Sequence, residues 1–301
     1  MNNKAWLFLL LLSVLWGGSF YFIGEGVKFV PPLTLVFYRI FFAGLALYLM
    51  FLCLDRKLPK KADFWIKVAV MALLNNIIPF TLIAWGQQTL SGGLASILNS
   101  NTAFAVVFIA AVFIPSEKLD IRRVIGTLIG IFGVTLVIGL DVLNELTLTS
   151  LSQLAVLLAS VSYALGSVWG QTQLLVYEPK DVACGTLLIG SLIIAPFVFL
   201  TDGIPNLTVL DLKFMLILFG LSIAGTALAY IVYFRILELA GAANLMLVTI
   251  IVPVFAILID VALLEKWISK QTFAGFILIS LGLLLIDGRI WWAMLKKLKP
   301  K

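Results

Sequence analysis

Apolar runs of about twenty residues follow one another along the whole chain, separated by short polar connections. Ten such runs stand out: 5–24, 32–54, 66–88, 92–114, 122–140, 150–172, 182–201, 212–234, 241–264 and 271–289. At ~1.5 Å per helical residue, a run of this length crosses a ~30 Å hydrocarbon core. The connections carry turn residues, among them Pro31-Pro32, Ser91-Gly92-Gly93, Glu178-Pro179 and Asp202-Gly203-Ile204-Pro205. The pattern predicts an all-α polytopic membrane protein with ten transmembrane helices. No small-residue cleavage site follows the first run, which continues through Trp16-Gly17-Gly18 to Ile23, so it reads as a retained helix rather than a signal peptide.

The layout occurs twice. A register of 148 residues pairs Gly93 with Gly241, Glu117 with Glu265, Lys118 with Lys266, Gly18-Ser19 with Gly166-Ser167 and Pro31 with Pro179. One extra residue in a later turn then pairs Gly126 with Gly275 and Gly133 with Gly282. Matched Leu or Val would mean little in so apolar a chain, whereas matched Glu-Lys, Gly-Ser and Pro landmarks in one register define an internal repeat. The expected organisation is a first repeat over 1–141, a second over 149–289 and a basic tail over 290–301. Each repeat holds five spans. Five is odd, so the second copy must enter the membrane inverted, the layout of secondary transporters with a midplane site between repeats.

Charge adds orientation. Of the 21 Lys and Arg residues, sixteen fall on the side of the N-terminus and four (Lys28, Lys213, Lys266, Lys270) on the other, with Arg39 inside a span. The positive-inside rule then puts both termini in the cytoplasm of a bacterial-type plasma membrane. Composition agrees: 62% of residues are hydrophobic and 12% charged, half the charge of a typical soluble domain. The net charge of +6 comes from loops and tail, so it carries no nucleic-acid signal. The chain has no histidine, and its two cysteines, Cys53 and Cys184, form no spaced pair. No metal site, cofactor or structural disulfide is expected.

Trp16-Gly17-Gly18-Ser19-Phe20 in the first span, the run closing in Glu117-Lys118, Pro253-Val254 in span nine, Glu265-Lys266 closing that span and the glycine-dotted last span together resemble the EamA-type drug/metabolite transporters. The resemblance covers nearly the whole chain. It implies a ten-helix carrier of two inverted EamA-like repeats, often an exporter of amino acids or related metabolites, without fixing a substrate. One departure is Ala105, which stands where Pro253 stands in the second repeat, so a hinge role for that proline is supported only in span nine.

Polar side chains inside spans are costly and concentrate at functional or packing sites. Trp16 and Ser19 share a face of span one, and Ser160, Tyr163, Ser167 and Gln171 form a stripe on span six. They either line a cavity or serve close packing beside Gly17, Gly18 and Gly166. Span three carries Asn75-Asn76 with Pro79 just beyond. Span four presents Ser96, Asn99 and Ser100 on one face, with Asn101 about 200° around from Asn99. The expected substrate cavity is lined by Trp16, Ser19, Asn75, Asn76, Asn99, Ser100, Tyr163, Ser167, Tyr230 and Asn244, with Pro79 and Pro253 as hinges.

Arg39 is the one basic residue well inside a span. It reads as a counter-charge for a substrate carboxylate, as an outer gate paired with Glu25 or Asp260, or as a structural, snorkelling arginine. Glu117 and Glu265, at helix ends, read as gate or structural charges marking the bends. No acid sits at a clear midplane position, so no proton-coupling carboxylate is expected. A catalytic role finds no H-E-x-x-H or G-x-S-x-G, and a channel finds no filter motif such as T-V-G-Y-G. The function expected is alternating-access movement of small polar metabolites across the membrane, with amino acids as the first candidates and export as the direction because the resemblance to the EamA-type transporters implies them. Multidrug, nucleoside or sugar-like carriage is the alternative, with channel or scaffold roles behind it. The expected partners are a small-molecule substrate and membrane lipid, with no nucleic acid, and the state is a monomer or homodimer.

Overall fold

A computed structural model describes residues 3–115, 120–138, 147–203, 211–245 and 247–287, with the side chains of 241–244 set apart. The described residues are all helical, without strands. Nine helices among them are long and apolar enough to span a membrane: α1 (Asn3–Gly26), α2 (Pro32–Cys53), α3 (Ala62–Gly86), α4 (Gly92–Phe113), α5 (Ile121–Ile138), α6 (Leu148–Leu174), α7 (Pro179–Thr201), α8 (Leu212–Ala240) and α10 (Lys270–Asp287). A shorter apolar helix, α9 (Val248–Leu264), completes ten. The protein is a multi-pass membrane protein.

Helix starts follow local chemistry. Pro32 and Pro179, which need no donor there, open α2 and α7. Side chains of Ser91, Thr147 and Asp211 accept the N–H of Leu94, Ser150 and Phe214 at the first turns of α4, α6 and α8. π-Helical stretches occur at Leu73–Ile77 in α3 and Phe219–Leu228 in α8, and a further one, Gly170–Leu174, closes α6. The 148-residue register superposes the first on Leu221–Gly225, within the second. In α3 the stretch is followed by Pro79, whose missing N–H cannot close the helical bond to the Asn75 carbonyl.

The packing is symmetric under exchange of the halves. α1 packs on α8 and α9, and α6 on α3 and α4, while α2 faces α7 and α5 faces α10. The α5–α10 crossing shows the inversion directly. A Cβ on Gly126 would lie 2.8 Å from the Gly282 carbonyl, and one on Gly133 2.8 Å from the Gly275 carbonyl. One helix therefore ascends as its twin descends, and each contact maps onto the other when the repeats are swapped. Thr34 beside Asp202 and Gly44 against Leu187 show the same antiparallel course for α2 and α7.

One span differs from the expected boundaries. Instead of opening a span at 241, the chain continues α8 through Leu245 and starts α9 at Val248. In the first repeat Ser91 caps a new helix two residues before Gly93; Leu239 stands at the matching position and offers no acceptor, so the helix runs on. α4 carries an interruption near the matching place, at Ser100-Asn101 between Gly92–Asn99 and Thr102–Phe113.

Candidate functional site

Arg39 lies at the centre of the polar interior. It is 6% exposed and does not snorkel. Its Nε donates to Thr226 Oγ1 at 2.9 Å, and its guanidinium carbon sits 3.6 Å above the Phe80 ring centroid. Thr226 is aimed by the π-helical stretch of α8, where its own hydroxyl donates to the Leu221 carbonyl five residues back. Among the described residues no carboxylate stands within ion-pair distance of Arg39. The two acids expected as its gate partners are engaged elsewhere, which corrects that reading. Glu25 pairs with Lys28 and, at 3.7 Å, with Lys213. Asp260 accepts the Gly93 N–H at 2.6 Å, at the start of α4. A carboxylate finds a favourable field at a helix N-terminus, and Asp260 takes that place.

Around the guanidinium stand neutral polar groups. Asn75 and Asn76 of the α3 π-helical stretch both donate Nδ2 to Tyr230 Oη at 3.3 Å. Tyr230 and Tyr163 lie within electrostatic reach of Arg39, and Tyr163 meets Phe80 edge-on at 6.4 Å. Asn76 Oδ1 and Asn99 Oδ1 are buried and accept no hydrogen bond among the described residues. Arg39, Asn75, Asn76, Tyr163 and Tyr230 thus come together, contributed by both halves. Sequence reasoning missed Thr226 and Phe80. Thr226 had a signal, its four-residue spacing from Tyr230 on one helix face; the stacking of Arg39 on Phe80 had none.

The remaining candidates fall elsewhere. Trp16 tilts against Tyr233 at 6.0 Å. Ser19 and its twin Ser167 each donate back to the carbonyl four residues earlier, Leu15 and Tyr163. Both behave as small packing residues, with Ser19 pressed on Gly225. Ser100 donates to the Ser96 and Thr249 carbonyls, both at 3.1 Å, tying α4 to α9. Pro79 follows the α3 π-helical stretch and Pro253 lies inside a continuous α9. Glu265 ends α9 in the left-handed conformation, with φ of 54°. Glu117 and the Asn244 side chain lie outside the described residues.

Polar contacts cross between the halves at both ends of the molecule, at the Arg56 end through Arg56 with Glu178 and Asp181, the Tyr177 hydroxyl donating to Asp63, and the Trp169 indole N–H donating to the Lys67 carbonyl. At the end bearing Glu25, four polar contacts cross between the halves: Glu25 with Lys213, Thr34 with Asp202, Thr89 with Ser152, and Gly93 with Asp260. At the end bearing Arg56, a cavity of about 150 Å³ enters between α2, α7 and α8. Arg56 and Lys180 line it with Leu47, Phe51 and Phe234, and it reaches Tyr230. Beside it Arg56 pairs with Glu178 and Asp181, and the guanidinium holds the Glu178 carboxyl below the usual carboxylate range. Tyr230 therefore stands between this cavity and the asparagine pair.

A sequence profile of the EamA-like transporter family matches residues 3–139 and 150–287. The chain belongs to this family. Among EamA relatives, an uncharacterized transporter of Archaeoglobus fulgidus is 28% identical over 93% of this chain and 96% of its own length. A protein of Escherichia coli K12 named a probable amino-acid metabolite efflux pump is 27% identical over 97% of both chains. A transporter of Bacillus subtilis, YoaV, is 22% identical over 93% of this chain and 95% of its own. A crystal structure sharing 18% identity superposes with a TM-score of 0.68, covering 95% of this chain and 98% of that one, and agrees in fold. The protein is a membrane transporter of the EamA type.

Proposed function

We propose that this transporter exports small amino-acid-like metabolites across a bacterial-type cytoplasmic membrane by alternating access, with both termini in the cytoplasm. The observation that carries the reading is the buried cluster of Arg39, Asn75, Asn76 and Tyr230, which joins the two inverted halves. Inverted-repeat carriers bind substrate at such an interface and rock one half against the other. Loading follows from the cavity that leads from the Arg56 end to Tyr230, and the Glu25 end is the outer gate that opens for release. The substrate class is supported by amide and phenol groups set among apolar walls, and by a relative named a probable amino-acid metabolite efflux pump.

The test is efflux from cells preloaded with radiolabelled amino acids, with and without overexpression. Saturable efflux that falls by tenfold or more in Asn76→Ala and Tyr230→Phe at equal expression is the expected result. Efflux unchanged by overexpression for every amino acid tried rejects the substrate class. Efflux intact in both variants rejects the site.

A further inference from the structure

A buried arginine without a carboxylate partner is an unusual expense inside a membrane. An unpaired cation costs about 2.5–3.5 kcal/mol at a helix centre on insertion scales, and buried charges are ordinarily neutralised by a partner. Arg39 is 6% exposed, its Nε bonds a neutral hydroxyl, and its face stacks on Phe80. Its neutral surroundings are donors of a kind that suits an anion. Tyr230 Oη already accepts from Asn75 and Asn76, which leaves its own proton to give away. The cavity that reaches Tyr230 has an apolar interior and carries Arg56 and Lys180 in its lining.

We infer that Arg39 is the carboxylate-binding residue of the transport site, and that the site selects carboxylates with an apolar body. This deepens the reading of the protein as an exporter of amino-acid-like metabolites and rests on it. One fixed positive charge matches one negative charge. The planar guanidinium suits the two oxygens of a carboxylate. The amino group of an amino acid has no acid to meet it in this cluster. It finds a neutral acceptor in the buried Asn76 Oδ1, which accepts no hydrogen bond among the described residues. The carboxylate is therefore the required element and the amino group an accessory one. The apolar walls at Leu47, Phe51 and Phe234 take the body of the molecule.

The experiment compares three probes on the purified full-length protein in detergent: L-phenylalanine, 3-phenylpropanoate and phenethylamine. Binding is read by thermal stabilisation and by tryptophan fluorescence. Both carboxylates are expected to bind and the amine not to. Arg39→Gln should weaken both carboxylates by about a hundredfold, the scale expected when a buried charge partner is lost, with Arg39→Lys recovering part of the affinity. The ligand-free Arg39→Gln protein should melt no lower than wild type, because the charge is held for ligand rather than for the fold. A large drop in its ligand-free melting temperature indicates a structural role and overturns the inference. So does binding of the amine as tight as that of the carboxylates, or failure of both carboxylates to bind wild type. The two readings separate cleanly. Amino-acid efflux that survives Arg39→Gln sinks the Arg39 assignment alone. Carboxylate binding lost in Arg39→Gln, with no amino-acid efflux by wild type, sinks the export reading alone.

Discussion

At the scale of single residues, the interior is held by groups whose usual partners have been removed by a neighbour. Pro253 has no N–H, so the Thr249 carbonyl lacks its helical donor, and Ser100 of α4 donates to it instead at 3.1 Å. Ser100→Ala should therefore cost about 0.5–1.5 kcal/mol in thermal or chemical unfolding. In a Pro253→Ala background the cost should shrink, because the alanine N–H would return the helical donor; equal costs in both backgrounds would refute the coupling. The Arg56–Glu178 pair makes a second prediction, with the sign set by the depressed Glu178 pKa. The pair's contribution is full above the usual carboxylate range and is lost as pH falls through the lower folded value. Glu178→Gln should thus lower the melting temperature slightly near neutral pH and have no effect in strong acid. The partners of Arg39 belong to a different class from these local effects. Arginine inside an apolar run is visible in sequence, but Thr226 is 187 residues away and Phe80 offers only a ring face. Such contacts are decided by packing, which explains why a gate with Glu25 or Asp260 is an equally good reading of the sequence alone.

At the scale of elements, local rules hold wherever the cause is local. Span positions, turn prolines and caps are legible because hydrophobic length and a single capping side chain determine them. The start of α9 was not legible, since Leu239 replaces the capping Ser91 and the preceding helix simply continues. The π-helical stretches were equally hidden: Pro79 marks a disturbance but does not say that the ladder will absorb one extra residue. That extra residue has a consequence for the site, because it sets which way Asn75 and Asn76 face. Pro79→Ala, which allows a regular ladder, should turn the asparagines away from Tyr230 and reduce transport several-fold while the protein still accumulates. Undiminished transport would show that the π-helical stretch is incidental. The α5–α10 crossing gives a sharper test. Gly126→Leu must push side-chain atoms into the Gly282 carbonyl region and should cost about 1–3 kcal/mol by overpacking. Gly18→Ala is the control, since a Cβ there meets nothing closer than 3.9 Å.

At the scale of the whole molecule, the repeat read from Gly, Glu-Lys and Pro landmarks becomes a physical symmetry that the proposed ligand site breaks. The scaffold twins Ser19 and Ser167 bond alike in the two halves, whereas the asparagine pair comes from one half and Tyr230 and Thr226 from the other. Polar ties join the halves at both ends, Glu25 with Lys213 and Arg56 with Glu178, and the cavity at the Arg56 end reaches Tyr230. Carriers of this design exchange states open at one end or the other, and a contact made in only one of them biases the exchange by its own free energy. The contact of Asp260 in α9 with the Gly93 N–H at the start of α4 is buried on both sides, with Asp260 at 2% exposure. Removing its charge with Asp260→Asn weakens the tie between α9 and α4 without touching the Arg39 cluster, so the population should move toward a state open at the Glu25 end. The readout is a cysteine placed at Ser152, buried beside Thr89 at that end, in a background with Cys53 and Cys184 replaced by serine. Under the proposed topology, with both termini cytoplasmic, a membrane-impermeant thiol reagent added outside intact cells should label it slowly in the parent and several-fold faster in Asp260→Asn. The same reagent should leave a cysteine at Lys180 unlabelled, because that position lies at the opposite end. Labelling at Lys180 from outside would invert the topology, and an unchanged rate at Ser152 would mean that the Asp260 contact does not hold the outer gate.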